Sequence, residues 1–130
     1  AMRDAEVLVL NGDTFDFRWT TLPTIDETVQ AACRWLETLA MRHPQTRIHF
    51  VLGNHDCHRE FIVGLDRLSR RLPTLEWHEY QVHMGRSLFL HGDCADYKMS
   101  AEHLSQKRRG ASRDRRRADW MGVAYDYVDA

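Results

Sequence analysis

The chain has 130 residues, 43% of them hydrophobic and 28% charged, with a formal net charge of −1. That length supports one domain with a real core and excludes two. The near-balanced charge excludes a whole-protein attraction to nucleic acid or anionic membrane and leaves only local patches.

No apolar run approaches the ~18 residues of a membrane span. The three cysteines, Cys33, Cys57 and Cys94, have no paired spacing and suit a reduced cytoplasmic setting better than a disulfide framework. Val7-Leu8-Val9-Leu10 is a continuous apolar run stopped by Asn11-Gly12, which predicts a short strand buried on both faces. Asp13 to Leu22 reads as a polar-aromatic loop closed by Pro23. Thr24 and Glu27 then have capping-box spacing, and Ile25, Val29, Ala32, Leu36 and Leu39 form the apolar stripe of a helix ended by His43-Pro44. A second strand over about Arg47 to Leu52 completes a βαβ unit, whose strands are expected to be parallel with a right-handed crossover.

Phe61, Leu65, Leu68 and Leu72 predict a second helix, stopped before Pro73. Leu75 to Val82 is strand-like, Met84-Gly85-Arg86 a turn and Ser87 to Leu90 a third buried strand, together a hairpin. The expected fold class is α/β, with a sheet that holds both parallel and antiparallel pairs and is flanked by helices. Further on, Lys107 to Arg117 is dominated by Arg and Lys. Trp120, Val123, Ala124, Tyr127 and Val128 predict a last amphipathic helix.

Three times a short hydrophobic segment ends in Gly combined with Asp, Asn or His. The three are Asn11-Gly12-Asp13-Thr14-Phe15-Asp16, Gly53-Asn54-His55-Asp56 and His91-Gly92-Asp93. Strand ends that present such loops are where α/β proteins build sites. Asp13 offers a carboxylate able to bridge two ions, Asn54 a neutral amide oxygen, and His91 an imidazole nitrogen. His55, next to Asn54, is suited to proton transfer or to a charged contact with substrate, because imidazole titrates near neutral pH.

These segments resemble the second, third and fourth motifs of the calcineurin-like metallophosphoesterases in order, spacing and strand-end placement. The Gly-Asp-Thr-Phe-Asp-Phe form, and His-Gly-Asp followed by a basic helical segment, are most similar to the UDP-2,3-diacylglucosamine hydrolase-like branch. The resemblance runs from about Val7 to about Leu104. It implies mixed β-sheet layers between helices, as part of a four-layer α/β/β/α sandwich. It also implies two divalent metal ions, Mn²⁺ foremost with Mg²⁺, Fe or Zn²⁺ as alternatives. The implied reaction is cleavage of a phosphoanhydride or phosphodiester by metal-activated hydroxide. By position, Asp13 bridges the ions, and Asn54 and His91 ligate the second. His55 protonates the leaving group or stabilises the phosphoryl oxygens, while Asp16 and Asp56 orient ligands and tune His55.

The family's first motif, Asp-x-His, and its fifth, Gly-His-x-His, are absent from the sequence. Asp56-Cys57-His58 has the letters of the first in the wrong loop. Residues 1–130 are therefore expected to form a single, incomplete metallophosphoesterase domain with a basic helical cap-like segment at about 97–118. Alone, it is expected to bind metal weakly and to turn over slowly or not at all.

His43, His49, His78, His83 and His103 read as solvent or edge-strand residues, and Cys57 and Cys94 as packed thiols. The basic run over 107–117 is either a solvated segment or a contact for an anionic substrate or membrane headgroups, with nucleic acid disfavoured. The expected partner is a phosphorylated small-molecule or lipid-linked substrate, and the expected location cytoplasmic, with peripheral membrane contact as an alternative. The rival readings are another phosphodiesterase, nuclease or phosphatase of the superfamily, and a non-catalytic anion- or nucleic-acid-binding module.

Overall fold

Val7–Asn11 forms strand β1 and Arg47–Val51 strand β2, linked by helix α1 over Ile25–Arg42. The two strands are parallel, with Val7 opposite Arg47 and Asn11 opposite Val51, as the βαβ pattern predicts. The structure is a computed structural model and describes residues 5–95 and 100–113. The helix expected over Trp120–Val128, and the basic run beyond Arg113, lie outside the described residues.

Helix α1 starts where the sequence says it must. Thr24 is the N-cap, and its hydroxyl accepts a hydrogen bond from the Glu27 amide at 3.1 Å. Asp26 and Glu27 in the first turn and Arg42 in the last complement the helix dipole. The buried stripe is Val29, Ala32, Leu36 and Ala40. Helix α2 follows over Arg59–Arg71 and buries Phe61, Leu65 and Leu68. It ends at Leu72 because Pro73 disfavours helical geometry in the residue before it.

Strand β3, Leu75–His78, pairs in parallel with β2, giving the order β1-β2-β3. One face of this sheet (Ile48, Phe50, Leu52 and Leu75) forms a single core cluster with Leu36 from α1 and Phe61 and Leu65 from α2. Both helices therefore cover the same face.

The stretch from Leu75 to Val82 does not run on as one strand. It breaks at Glu79-Tyr80, and strand β4, Gln81–Met84, pairs antiparallel with β5, Ser87–Leu90, in a separate two-stranded sheet. Parallel and antiparallel pairs are thus segregated into two sheets rather than mixed in one. The hairpin turn relies on Gly85, whose φ of 58° lies in the left-handed region. Val51 and Val82 are buried outside the main cluster, on the hairpin's side of the parallel sheet. Strand β1, expected to be buried on both faces, is only partly covered, because it forms the edge of the parallel sheet among the described residues.

Helix α3, Ala101–Arg113, contains the basic run as far as Arg113. Its Leu104 and Arg108, one turn apart, are both buried. Arg108 is not a solvated cation. Its Nε and Nη2 donate to the two carboxylate oxygens of Asp93, each at 2.8 Å, and Nη1 donates to the Glu79 carbonyl. The guanidinium also lies 5.7 Å from the Tyr80 ring centroid. This one side chain joins α3, the turn after β5 and the break between β3 and β4. Burial raises the Asp93 pKa, but the hydrogen bonds and charge of Arg108 outweigh it and hold the carboxyl below its ordinary range. Among the described residues, no helix is long and apolar enough to cross a membrane.

Candidate metal centre

The three loops predicted to carry chemistry meet at the C-terminal ends of β1, β2 and β5. Their convergence is built from hydrogen bonds between residues far apart in sequence. The Asn11 side chain donates to the Leu90 carbonyl at 3.0 Å, tying the ends of β1 and β5. Asp56 is fully buried and ties the first loop to the second, one carboxylate oxygen accepting from the Gly53 amide at 2.7 Å and the other from the Thr14 amide at 3.0 Å. Burial pushes the Asp56 carboxyl up to about 6; the backbone amides oppose the rise and the Asp13 charge adds to it.

Asp13 itself has φ 49° and follows Gly12 at φ 81°. A left-handed non-glycine backbone costs on the order of 1–3 kcal/mol and persists where its surroundings over-determine it. Those surroundings are visible here. Asp13 Oδ1 accepts from the His55 amide at 2.9 Å, and Oδ2 lies 3.1 Å from His91 Nε2. A methyl group on Gly12 would sit 2.4 Å from His91 Nδ1, and one on Gly53 2.1 Å from Asp13 Oδ1. Both glycines are required by close approach.

His91 Nε2 is also 3.2 Å from Asn54 Oδ1. A carboxylate oxygen and an amide oxygen therefore both lie within 3.2 Å of one imidazole nitrogen. Ligands held at ~2.0–2.2 Å around a divalent ion in octahedral or tetrahedral geometry lie roughly 3.0–3.5 Å apart. Both spacings fall in that range, so the donor set fits such an ion. Asp13, Asn54 and His91 are the residues that would hold it.

Beside them, His55 Nδ1 is 2.7 Å from Asp16 Oδ2. The other Asp16 oxygen accepts from the Arg18 and Trp19 amides at 2.9 and 3.1 Å, fixing the carboxylate's direction. Phe15 and Phe17 explain why Asp16 faces outward. The two rings insert into the core, each packing edge-on against Phe61 at 5.6 and 5.0 Å, and the residue between them is left on the opposite side. The Phe17 amide also donates to the His55 carbonyl at 3.2 Å. With Nδ1 occupied by a carboxylate, Nε2 of His55 is the ring nitrogen left for a ligand.

Each residue predicted for the site is thus in one cluster, but Asp56 differs from the rest. Its hydrogen bonds go to backbone amides of the two loops rather than to the His55 ring. His58 Nδ1 lies 2.9 Å from Glu60 Oε2, while its ring helps line one small cavity with Asn54 and His55. Burial raises the thiol pKa values of Cys57 and Cys94, with Arg108 opposing, so neither is an activated nucleophile.

Two features escaped the reading of the sequence. Arg108 is one, although its spacing of four from Leu104 was the available signal. The other is a trio on the strands. His49, expected in solvent or on an edge strand, is only 7% exposed on the central strand, and with Glu76 and His78 it brings three ligand atoms within 4.8 Å of one another.

Neither the curated proteins nor the solved structures contain a match to the chain. The sequence profile of the calcineurin-like phosphoesterases, by contrast, matches residues 2–122. That span takes in all three loops, and the mixed α/β layers agree with the family's fold. The chain belongs to the calcineurin-like phosphoesterases, a family of metal-dependent hydrolases of phosphoesters.

Proposed function

We infer that the protein hydrolyses a phosphoanhydride or phosphodiester, and that its substrate is a nucleotide-linked, lipid-bearing sugar of the UDP-2,3-diacylglucosamine kind. The observation that carries the hydrolytic reading is the convergence of Asp13, Asn54 and His91 beside the His55–Asp16 pair. Asp13, with two oxygens, would be suited to bridge two ions, and Asn54 and His91 would serve among the donors of one. Bound divalent ions, Mn²⁺ foremost, supply Lewis-acid polarisation of the phosphoryl oxygens and a nucleophile at neutral pH.

The chain's own residues do the rest. His55 presents Nε2 to the leaving oxygen, to donate a proton or a hydrogen bond as charge develops there. Asp16 holds the ring in that orientation. Asp56 keeps the loops in register without touching substrate. The residues act as a single domain, with a basic cap-like segment that includes α3 over the substrate's lipid-bearing part. The similarity of Gly12–Phe17 and of the basic helix after His91-Gly92-Asp93 to the UDP-2,3-diacylglucosamine hydrolase-like branch supports that substrate. The burial of Arg108 in an ion pair with Asp93 weakens the rival reading of an anion-binding module, because it removes one cation from the run.

The test is Mn²⁺-dependent cleavage of bis-p-nitrophenyl phosphate by the full-length gene product, with a UDP-diacyl sugar compared by ³¹P NMR. Replacing His55 with Ala is expected to lower kcat by about 10²–10⁴-fold, and Asp16→Asn by about 10–100-fold. Activity unchanged in Asp13→Ala or His55→Ala would refute these roles. Turnover of the diester alone would leave the hydrolase and remove the nucleotide-sugar substrate.

A further inference from the structure

His49 and Glu76 are register partners on adjacent parallel strands, and His78 lies two residues beyond Glu76 on the same strand. Strand side chains alternate between faces, so all three point to one side of the sheet. That side is opposite the core formed by Ile48, Phe50, Leu75 and Trp77. His49 Nδ1 is 3.0 Å from His78 Nε2 and 3.7 Å from Glu76 Oε2.

We propose that His49, Glu76 and His78 form a binding site for a divalent cation of the zinc class, separate from the loop cluster. Two imidazoles and a carboxylate are the ligand set that Zn²⁺ accepts with a fourth position left open. The nitrogen-to-nitrogen spacing is close to that of two ligands on one ion with bonds of ~2.0–2.1 Å, and all three ligand atoms lie within 4.8 Å of one another.

The backbone under the trio is held firmly. The Ile48 amide donates to the Thr74 carbonyl at 2.7 Å and the Leu52 amide to the His78 carbonyl at 3.0 Å, so the register that brings the three together cannot slip locally. Burial of His49 restricts its ring, whereas Glu76 is half exposed and gives the cation a way in. Burial and the neighbouring His49 lower the His78 pKa, with Glu76 opposing, which favours the neutral imidazole that a metal requires. The ring hydrogen between His49 Nδ1 and His78 Nε2 gives way to the cation by a change of tautomer, which leaves each imidazole neutral with its other nitrogen protonated. The site shares no residue with Asp13, Asn54 and His91 and stands whether or not the loop cluster is catalytic.

The experiment is a calorimetric titration of chelator-treated protein with Zn²⁺, repeated with Co²⁺ as an optical probe. An Asp13→Ala/His91→Ala variant is expected to retain about one equivalent of Zn²⁺ with imidazole-type Co²⁺ absorption. Adding Glu76→Gln is expected to weaken that binding at least tenfold, and adding His78→Gln to abolish it. Circular dichroism reports folding throughout, and Glu76→Gln, a half-exposed change, preserves the strand. Should the loop variant unfold, Glu76→Gln/His78→Gln in the unaltered chain is expected to lose about one Zn²⁺ equivalent while Mn²⁺-dependent hydrolysis is unchanged. Zinc binding that is absent from the loop variant, or indifferent to Glu76 and His78 in either background, overturns the proposal.

Discussion

At the scale of single residues, the centre depends on close contacts that leave no spare volume. Gly53 is the sharpest case, since a Cβ there would meet both the carboxylate and the backbone nitrogen of Asp13 at 2.1 and 2.5 Å. Gly53→Ala is therefore expected to displace Asp13 and lower Mn²⁺ affinity at least tenfold, read by titration calorimetry, while helix content by circular dichroism stays near that of the unaltered chain. Asp56 makes a different prediction. Its folded pKa of about 6 lies above the ordinary 3.8, so the folded chain holds an extra proton between those values. Stability contributed at this position consequently falls as pH rises through that window. Urea denaturation of metal-free protein tests the sign: the stability of the unaltered chain relative to Asp56→Asn is expected to decrease from pH 4 to pH 6.5.

At the scale of elements, the break between β3 and β4 and the turn after β5 are held together from α3. Arg108 supplies two hydrogen bonds to the nearly buried Asp93 carboxylate and one to the Glu79 carbonyl. Replacing Arg108 with Ala strands that charge and is expected to cost roughly 3–5 kcal/mol, whereas a joint change of Arg108 to Met and Asp93 to Leu is expected to cost much less. Chemical denaturation of the single and paired variants measures the difference. Because Asp93 is two residues from His91, the same clamp sets where β5 ends and so where the imidazole of the centre stands. A stretch that composition marks as a solvated basic run thus begins as a structural fastening.

At the scale of the whole molecule, the loops come from three places in the chain and are joined by contacts spanning from 37 to 80 residues of sequence. A divalent ion bound across them links both sheets, so it is expected to stabilise the fold by mass action, about 2.7 kcal/mol at a hundredfold excess over Kd. The rise in Tm with Mn²⁺ measures this, and its disappearance in Asp13→Asn assigns it to the centre. Chelation is expected to reverse it.

The sequence by itself determined the local elements and singled out the residues of the candidate site. Apolar runs, the Thr24 cap, Pro73 and the 3.6-residue stripes specify β1, α1, β2 and α2, because these depend on neighbours in the chain. The three Gly-containing loops were legible for the same reason: the chemistry of Asp13, Asn54, His55 and His91 is written in residue type and position after a strand. Tertiary structure alone decided how the pieces partner. Nothing local says that Leu75–Val82 divides between two sheets, that Asp56 faces backbone amides rather than the His55 ring, or that Arg108 is buried. These outcomes follow from desolvation and from register between distant segments. The meeting of His49, Glu76 and His78 has the same origin, since only the pairing of β2 with β3 brings the parity of one strand against that of the other.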